Sequence, residues 1–274
     1  MNVPAKPATM TSGGVVGFFR NPMVARLGWA ISGLGILAAL WLVFGYYIEQ
    51  NPNTRTFSKF GLIPTLQAFP ELLEIGKLQT AVAVSMHRLS EGLLIAILVG
   101  IPLGIVVGRN KRFRELTNSP FQFIRMVSPL SWMPIVVYVF SEWHGSIVFL
   151  LAIAAVWPVM FSTAAGLAKV DPAWFMVARN LGAKPLHMLT RIIIPAITFD
   201  ILSGLRLALG VAWIVLIPAE YLGVTTGLGY SIQDSRETLS YDHLTAIVVT
   251  IGVIGYTLDT LLVVLIRRFS WHRG

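Results

Sequence analysis

Residues 87–109 read HRLSEGLLIAILVGIPLGIVVGR: a polar opening with His87, Arg88 and Glu91, a long uncharged apolar run, and Arg109 at its close. A hydrocarbon core about 30 Å thick takes roughly 20 helical residues to cross, so a run of this length predicts a bilayer-spanning helix, placed at 84–108. Gly92, Gly100, Gly104 and Gly108 recur at multiples of four, which gathers small residues on one helix face. That pattern points to close helix packing more than to chemistry. The dull reading of His87, Arg88 and Glu91 is that they snorkel at the interface.

Outward from this stretch, comparable apolar runs lie at 27–48, 120–140, 146–166, 196–219 and 243–266. The third is irregular. Pro129 and Pro134 interrupt it, and Arg125, Ser128 and Ser131 suit a neighbour of protein or water more than lipid. The whole chain has 274 residues, 55% hydrophobic and 12% charged. A soluble domain would carry about a quarter charged residues. The expected fold is therefore all-α, a polytopic membrane protein with about six transmembrane helices. Residues 27–266 form one membrane domain, preceded by an N-terminal segment, 1–26, and followed by a tail, 267–274. The run 27–48 exceeds the 7–15 apolar residues of a secretory signal and reads as an uncleaved span.

The formal charge of +8 has a topological explanation. With the N-terminus inside, cytoplasmic segments collect Lys6, Arg20 and Arg26; Arg109, Lys111, Arg112 and Arg114; Lys169, Arg179, Lys184 and Arg191; and Arg267, Arg268 and Arg273. The opposite side holds only Arg55, Lys59, Lys77, Arg88 and Arg236. This asymmetry puts both termini in the cytoplasm and argues against nucleic acid as a partner. The outer segment 49–83 includes a short amphipathic piece, Phe69 to Ile75, expected at the interface.

Between the fourth and fifth spans, residues 171–197 read DPAWFMVARNLGAKPLHMLTRIIIPAI. Asp171 before Pro172 is a helix start, Gly182 interrupts, and Pro185 opens a second short helix that leads to Pro195. Two short helices parted by glycine form a projecting elbow, 167–195, that another protein can grip. Nine residues separate Gly182 from Ile192, Ile193, Ile194 and Pro195. In this spacing the chain resembles the permease subunits of binding-protein-dependent ABC importers. Their cytoplasmic signature is Glu-Ala-Ala, three residues, Gly, nine residues, Ile-x-Leu-Pro. The first three positions are here Met176, Val177 and Ala178, so the acidic residue is missing. The resemblance covers roughly 60–274. HRLSEGLLIAILVGIPLGIVVGR, SPLSWMPI and GLGYSIQDSRETLSYD are similar to the branch importing nitrate, bicarbonate, taurine and aliphatic sulfonates.

The resemblance implies a type I ABC importer-like subunit of the inner membrane, working as a homodimer. Two cytoplasmic ATPase chains would grip the elbows at Ala178, Asn180, Leu181, Gly182, Ala183, Lys184, Pro185 and Pro195. A periplasmic or lipid-anchored binding protein would deliver the cargo, a small anion. The chain has no Gly-x-x-x-x-Gly-Lys-Ser/Thr phosphate loop, so ATP and magnesium are expected on the partner ATPase. It has no cysteine, no His-Glu-x-x-His and no compact His, Asp or Glu cluster on any one span, so no catalytic, cofactor or metal site is expected.

Ionisable residues inside a span are functional candidates by default. Arg125 and Arg206 either face the translocation path and hold an anion, or find ordinary partners. For Arg125 the ordinary partner is the headgroup layer; for Arg206 it is Asp200 or a carbonyl. Trp132, which could gate the path, Trp213 and Glu220 complete the expected path set. Glu220 is expected to face water or a cation of the binding protein. An ATP-independent secondary transporter or channel is the competing reading, and inverted repeats would mark it. No such halves are visible.

Overall fold

The computed structural model describes residues 22–52 and 54–270. Most of the expected N-terminal segment, with Lys6 and Arg20, and the end of the tail, with Arg273, lie outside the described residues. The elements in order are α1 (Pro22–Gln50), a 3₁₀ turn (Arg55–Phe60), α2 (Leu62–Glu74), α3 (Lys77–Arg109), α4 (Lys111–Met126) and a 3₁₀ turn (Pro129–Trp132). They continue with α5 (Met133–Val139), α6 (Trp143–Ala168), α7 (Pro172–Asn180), α8 (Pro185–His187) and a π turn (Met188–Ile193). The chain closes with α9 (Ile194–Gly223), α10 (Leu228–Glu237) and α11 (Tyr241–Ser270). There is no strand among the described residues. Among the described residues five helices are long and apolar enough to cross a bilayer, and Pro129–Val139 is a shorter apolar piece.

The chain forms two compact units, 1–66 and 67–274. The first holds α1, apolar on every face, and the 3₁₀ turn, tied together where Trp41 Nε1 donates to the Phe60 carbonyl at 2.9 Å.

The second unit is built on α3, α6 and α9. Its α3–α6 seam is a ladder of small residues: Gly92, Ala96, Gly100, Gly104 and Gly108 recur every four residues, about one turn apart, and the glycines face α6. A Cβ at Gly92 would stand 2.6 Å from Leu151 Cβ, and one at Gly104 2.6 Å from the Met160 carbonyl oxygen. Real side chains do not approach so closely, so the glycines are what allow the two backbones to meet, as the spacing predicted. Residue numbers rise together along this seam, which makes α3 and α6 parallel. The helix α9 runs antiparallel to α6, with Gly166 against Asp200 and Gly204 against Ser162 and Pro158. The pairings of Gly255 with Trp213 and of Asp259 with Arg206 make α11 antiparallel to α9.

Parallel α3 and α6 require residues 111–142 to return the chain to the end where α3 began. The expected third span, 120–140, does this as a broken limb rather than one helix. Arg125 lies beside Phe161, Ser146 Oγ reaches the Val136 carbonyl at 3.3 Å, and Gly145 meets Phe140. The limb therefore climbs against the direction of α6. Its break falls at Val127 and Ser128, both extended, because the residue before a proline is driven out of the helical region. Pro134 breaks nothing. It sits in the first turn of α5, where its missing N–H has no intrahelical partner to lose.

The amphipathic piece expected at the interface belongs largely to α2 and packs one face into the second unit. Ala68 and Leu72 are buried with Leu78, Ala81, Leu228, Ala246 and Ile247.

Candidate functional site

At the Arg109 end of the bundle stands the elbow. Asp171 Oδ1 accepts from the Ala173 N–H at 2.8 Å and caps α7, with Pro172 at the first helical position. The helix ends as a Schellman motif: Gly182 N–H donates to the Arg179 carbonyl at 2.9 Å and Ala183 N–H to the Ala178 carbonyl at 3.0 Å. That closure needs a left-handed residue, and Gly182 supplies it at φ 77°. A Cβ there would meet no atom within 4 Å, so only the backbone angle opposes substitution. Pro185 then opens α8, and the π turn leads into α9 across Pro195.

The elbow has an anchored side and a free side. Ala178, Met188 and Ile193 are buried with Leu167 and Ile197, and Phe175 packs against them. The expectation that Ala178 contacts a partner is therefore corrected. Its small side chain lets α7 lie on the bundle, and Ala183 leans on the same cluster. Asn180, Gly182, Lys184, Pro185 and Pro195 are exposed. So are Leu181 at 82%, Leu186 at 70%, and Trp174, Met176 and Val177. An apolar set of this size is surface that burial would stabilise.

Within the bundle, Arg125 and Trp132 line a cavity of about 460 Å³ with Trp157, Phe161, Leu207 and Val211. The Arg125 guanidinium lies 5.1 Å over the Phe161 ring and has no carboxylate partner among the described residues. Arg206 is elsewhere. Its Nε and Nη2 donate to both oxygens of Asp259 at 2.7 and 2.8 Å, a bidentate pair left half exposed on the face shared by α9 and α11. Asp200, one of the partners weighed for it, instead accepts from Lys169 at 2.7 Å. Trp213 packs into the core beside Gly255, a packing role.

Glu220 does not face water: it is fully buried. Arg88 Nη1, itself 4% exposed, donates to Glu220 Oε1 at 2.7 Å and to the Thr226 carbonyl at 2.8 Å. The Ser85 hydroxyl lies 2.8–2.9 Å from both carboxylate oxygens and accepts from the Leu228 N–H at 2.9 Å. The Gly229 N–H donates to Oε2 at 3.0 Å. Gly227, at φ 113°, passes so near the carboxylate that a Cβ would stand 2.5 Å from it. The Gly-Leu-Gly stretch thus wraps an anion held by α3, and Arg88 is part of the core rather than a snorkelling cation. Lys77 pairs with Asp234 beside this network. Arg236 donates to the Tyr221 hydroxyl, which raises its pKa further, so it stays charged at any ordinary pH.

A multi-pass bundle of parallel and antiparallel spans with an exposed elbow at one end fits a membrane permease subunit. Residues 100–271 match the binding-protein-dependent transport system inner membrane component, and the chain belongs to this family of ABC permeases. It is 30% identical over 263 residues to the taurine transport system permease protein TauC of Escherichia coli, covering 93% of each chain. It is 34% identical over 176 residues to the bicarbonate transport system permease protein CmpB of Synechococcus elongatus, covering 64% of this chain and 63% of that one, just under two thirds of its length. It is 31% identical to the nitrate import permease protein NrtB of Leptolyngbya laminosa over 66% of this chain and 64% of the relative.

Proposed function

We propose that the chain is the inner-membrane permease subunit of an ATP-driven importer for a small oxyanion or sulfonate. It works as a homodimer, with separate ATPase chains on the elbows and a binding protein delivering cargo. The observation that carries this reading is the elbow, a rigidly capped turn presenting Leu181 and Leu186 beside Lys184 at the end of the bundle where cationic loops gather. Apolar side chains outside the bilayer gain by burial in a partner, and the cationic loops assign that end to the cytoplasm.

Arg125 supports the anion. An exposed guanidinium with no carboxylate partner among the described residues, lining a cavity beside aromatic rings, offers charge and a planar donor fork to nitrate, carboxylate or sulfonate oxygens. Arg206 serves dimerisation in this account. A half-exposed ion pair midway along α9 and α11 is costly against lipid, and a second copy covers it. The relatives' names, for taurine, bicarbonate and nitrate, share a small cargo with an anionic oxygen group, which taurine carries as the sulfonate of a zwitterion.

Uptake of labelled taurine, nitrate and bicarbonate into membrane vesicles, with binding protein present, tests the reading. Transport of at least one is expected to require ATP and to fall about tenfold in Arg125→Gln, the loss of roughly 1.4 kcal/mol of charge-assisted bonding. ATP-independent uptake, or a variant with unchanged uptake, contradicts it.

A further inference from the structure

At the Glu220 end, His87 and Glu91 stand one turn apart on α3, and the first turn of α6 brings His144 against them. His144 Nε2 lies 2.6 Å from Glu91 Oε2, and His87 Nε2 lies 3.2 Å from Glu91 Oε1. One ligand atom from each of the three falls within 4.8 Å of the others, and the imidazole rings are 5.6 Å apart, centre to centre. The expectation of no metal site considered each span alone, whereas this group forms only where two spans meet.

We propose that His87, Glu91 and His144 form a binding site for a divalent transition metal of the zinc class, which clasps α3 to α6. Two imidazole nitrogens and one carboxylate oxygen suit zinc and its borderline neighbours. Magnesium and calcium take oxygen shells instead. Bonds of about 2.0–2.1 Å in a tetrahedron set ligand atoms roughly 3.4 Å apart. The Glu91–His144 and His87–Glu91 separations, 2.6 and 3.2 Å, lie just under that value, so small side-chain rotations set the three atoms around an ion.

The backbone beneath is already fixed. Gly92 abuts Leu151 and Val148 directly below the cluster, so both helices are held at one separation before any metal binds. Solvent reaches all three side chains, which are 67%, 35% and 38% exposed, and the fourth coordination position is open to water. This site is separate from the cavity and the elbow and does not depend on the transport reading.

The test is calorimetric titration of the untagged chain, as purified in detergent, with zinc chloride, and with cobalt chloride to read coordination geometry from the visible spectrum. One equivalent per chain is expected, with the intense absorption of tetrahedral cobalt. His144→Ala and Glu91→Gln each weaken binding at least roughly tenfold. His243→Ala, outside the group, leaves it unchanged. His87→Ala guards against misfolding, since its largely exposed side chain can be removed without disturbing the core; it too lowers affinity at least roughly tenfold. Binding that is absent, or unaffected in all three site variants, overturns the proposal.

Discussion

Glu220→Ala is expected to destabilise the folded chain by about 3–5 kcal/mol, the cost of stranding one member of a buried ion pair. Removing the carboxylate leaves the Arg88 guanidinium, 4% exposed, with the Thr226 carbonyl and hydroxyl as its remaining acceptors. It also takes the acceptor from the Gly229 N–H and the Ser85 hydroxyl. Arg88 Nε is already buried without a bond, so the site has no reserve of acceptors to redistribute. Glu220→Gln keeps the shape and loses the charge, and it should fall between the parent and the alanine variant. Replacing both partners, Arg88→Met with Glu220→Leu, should recover much of the loss, because a buried pair exchanged for apolar groups is often neutral. Recovery stops short of complete, since backbone donors at Leu228 and Gly229 were arranged around the anion. Thermal unfolding in detergent measures the series. A Glu220→Ala protein as stable as the parent would show that the network does not hold α3, α9 and α10 together.

Gly182→Pro is expected to abolish coupling while leaving the membrane domain folded. Proline fixes φ near −65°, whereas this position sits at 77°. Proline also removes the N–H that closes onto the Arg179 carbonyl. The turn cannot survive, yet the buried anchor of Met188, Ile193 and Ile197 lies beyond it and need not move. The substitution therefore swings α7 relative to α8, misplacing the docking residues without touching the spans. Transport should drop by about 5- to 150-fold, the range of a lost coupling of 1–3 kcal/mol. A graded set sharpens the cause. Gly182→Asn tolerates the left-handed conformation and should be mild, and Gly182→Ala should cost roughly 1 kcal/mol from backbone strain alone, as the space beside it is open. Parallel measurement of uptake and thermal midpoint separates a misdirected elbow from an unfolded protein.

Much of this fold is legible in the sequence because membrane burial imposes long signals. The apolar runs located the five long helices, and the recurrence of glycines from Gly92 to Gly108 announced a close helix contact, whose partner α6 only the structure supplies. Gly182 and Pro185 marked the elbow because a left-handed turn and a helix start have few residues that suit them. What the sequence did not disclose depends on chain topology. Arg88 and Glu220 are 132 positions apart, and each alone resembles a residue at a membrane interface. Their meeting follows from the antiparallel run of α9 and the fold-back at Gly227, which no local pattern encodes. The stretch Gly227-Leu228-Gly229 was the available clue, since glycines flanking an apolar residue after a buried acid allow backbone to approach it. The third span was legible in part: Pro129 interrupts it as its sequence indicated, by forcing Ser128 out of the helical region, whereas Pro134 falls in the first turn of α5 and interrupts nothing. Ala178 resembled a contact residue by its place in the motif, whereas its size serves the packing under the elbow.

The central claim is that the elbow engages a separate ATP-hydrolysing chain. The most direct measurement places a photocrosslinking amino acid at Leu181, 82% exposed, in the full chain in its own membranes, and identifies what it captures. One dominant adduct with an ATP-binding chain is expected, its yield changing when ATP is added. An elbow that captures only lipid or a second copy of this chain, with transport intact, would contradict it.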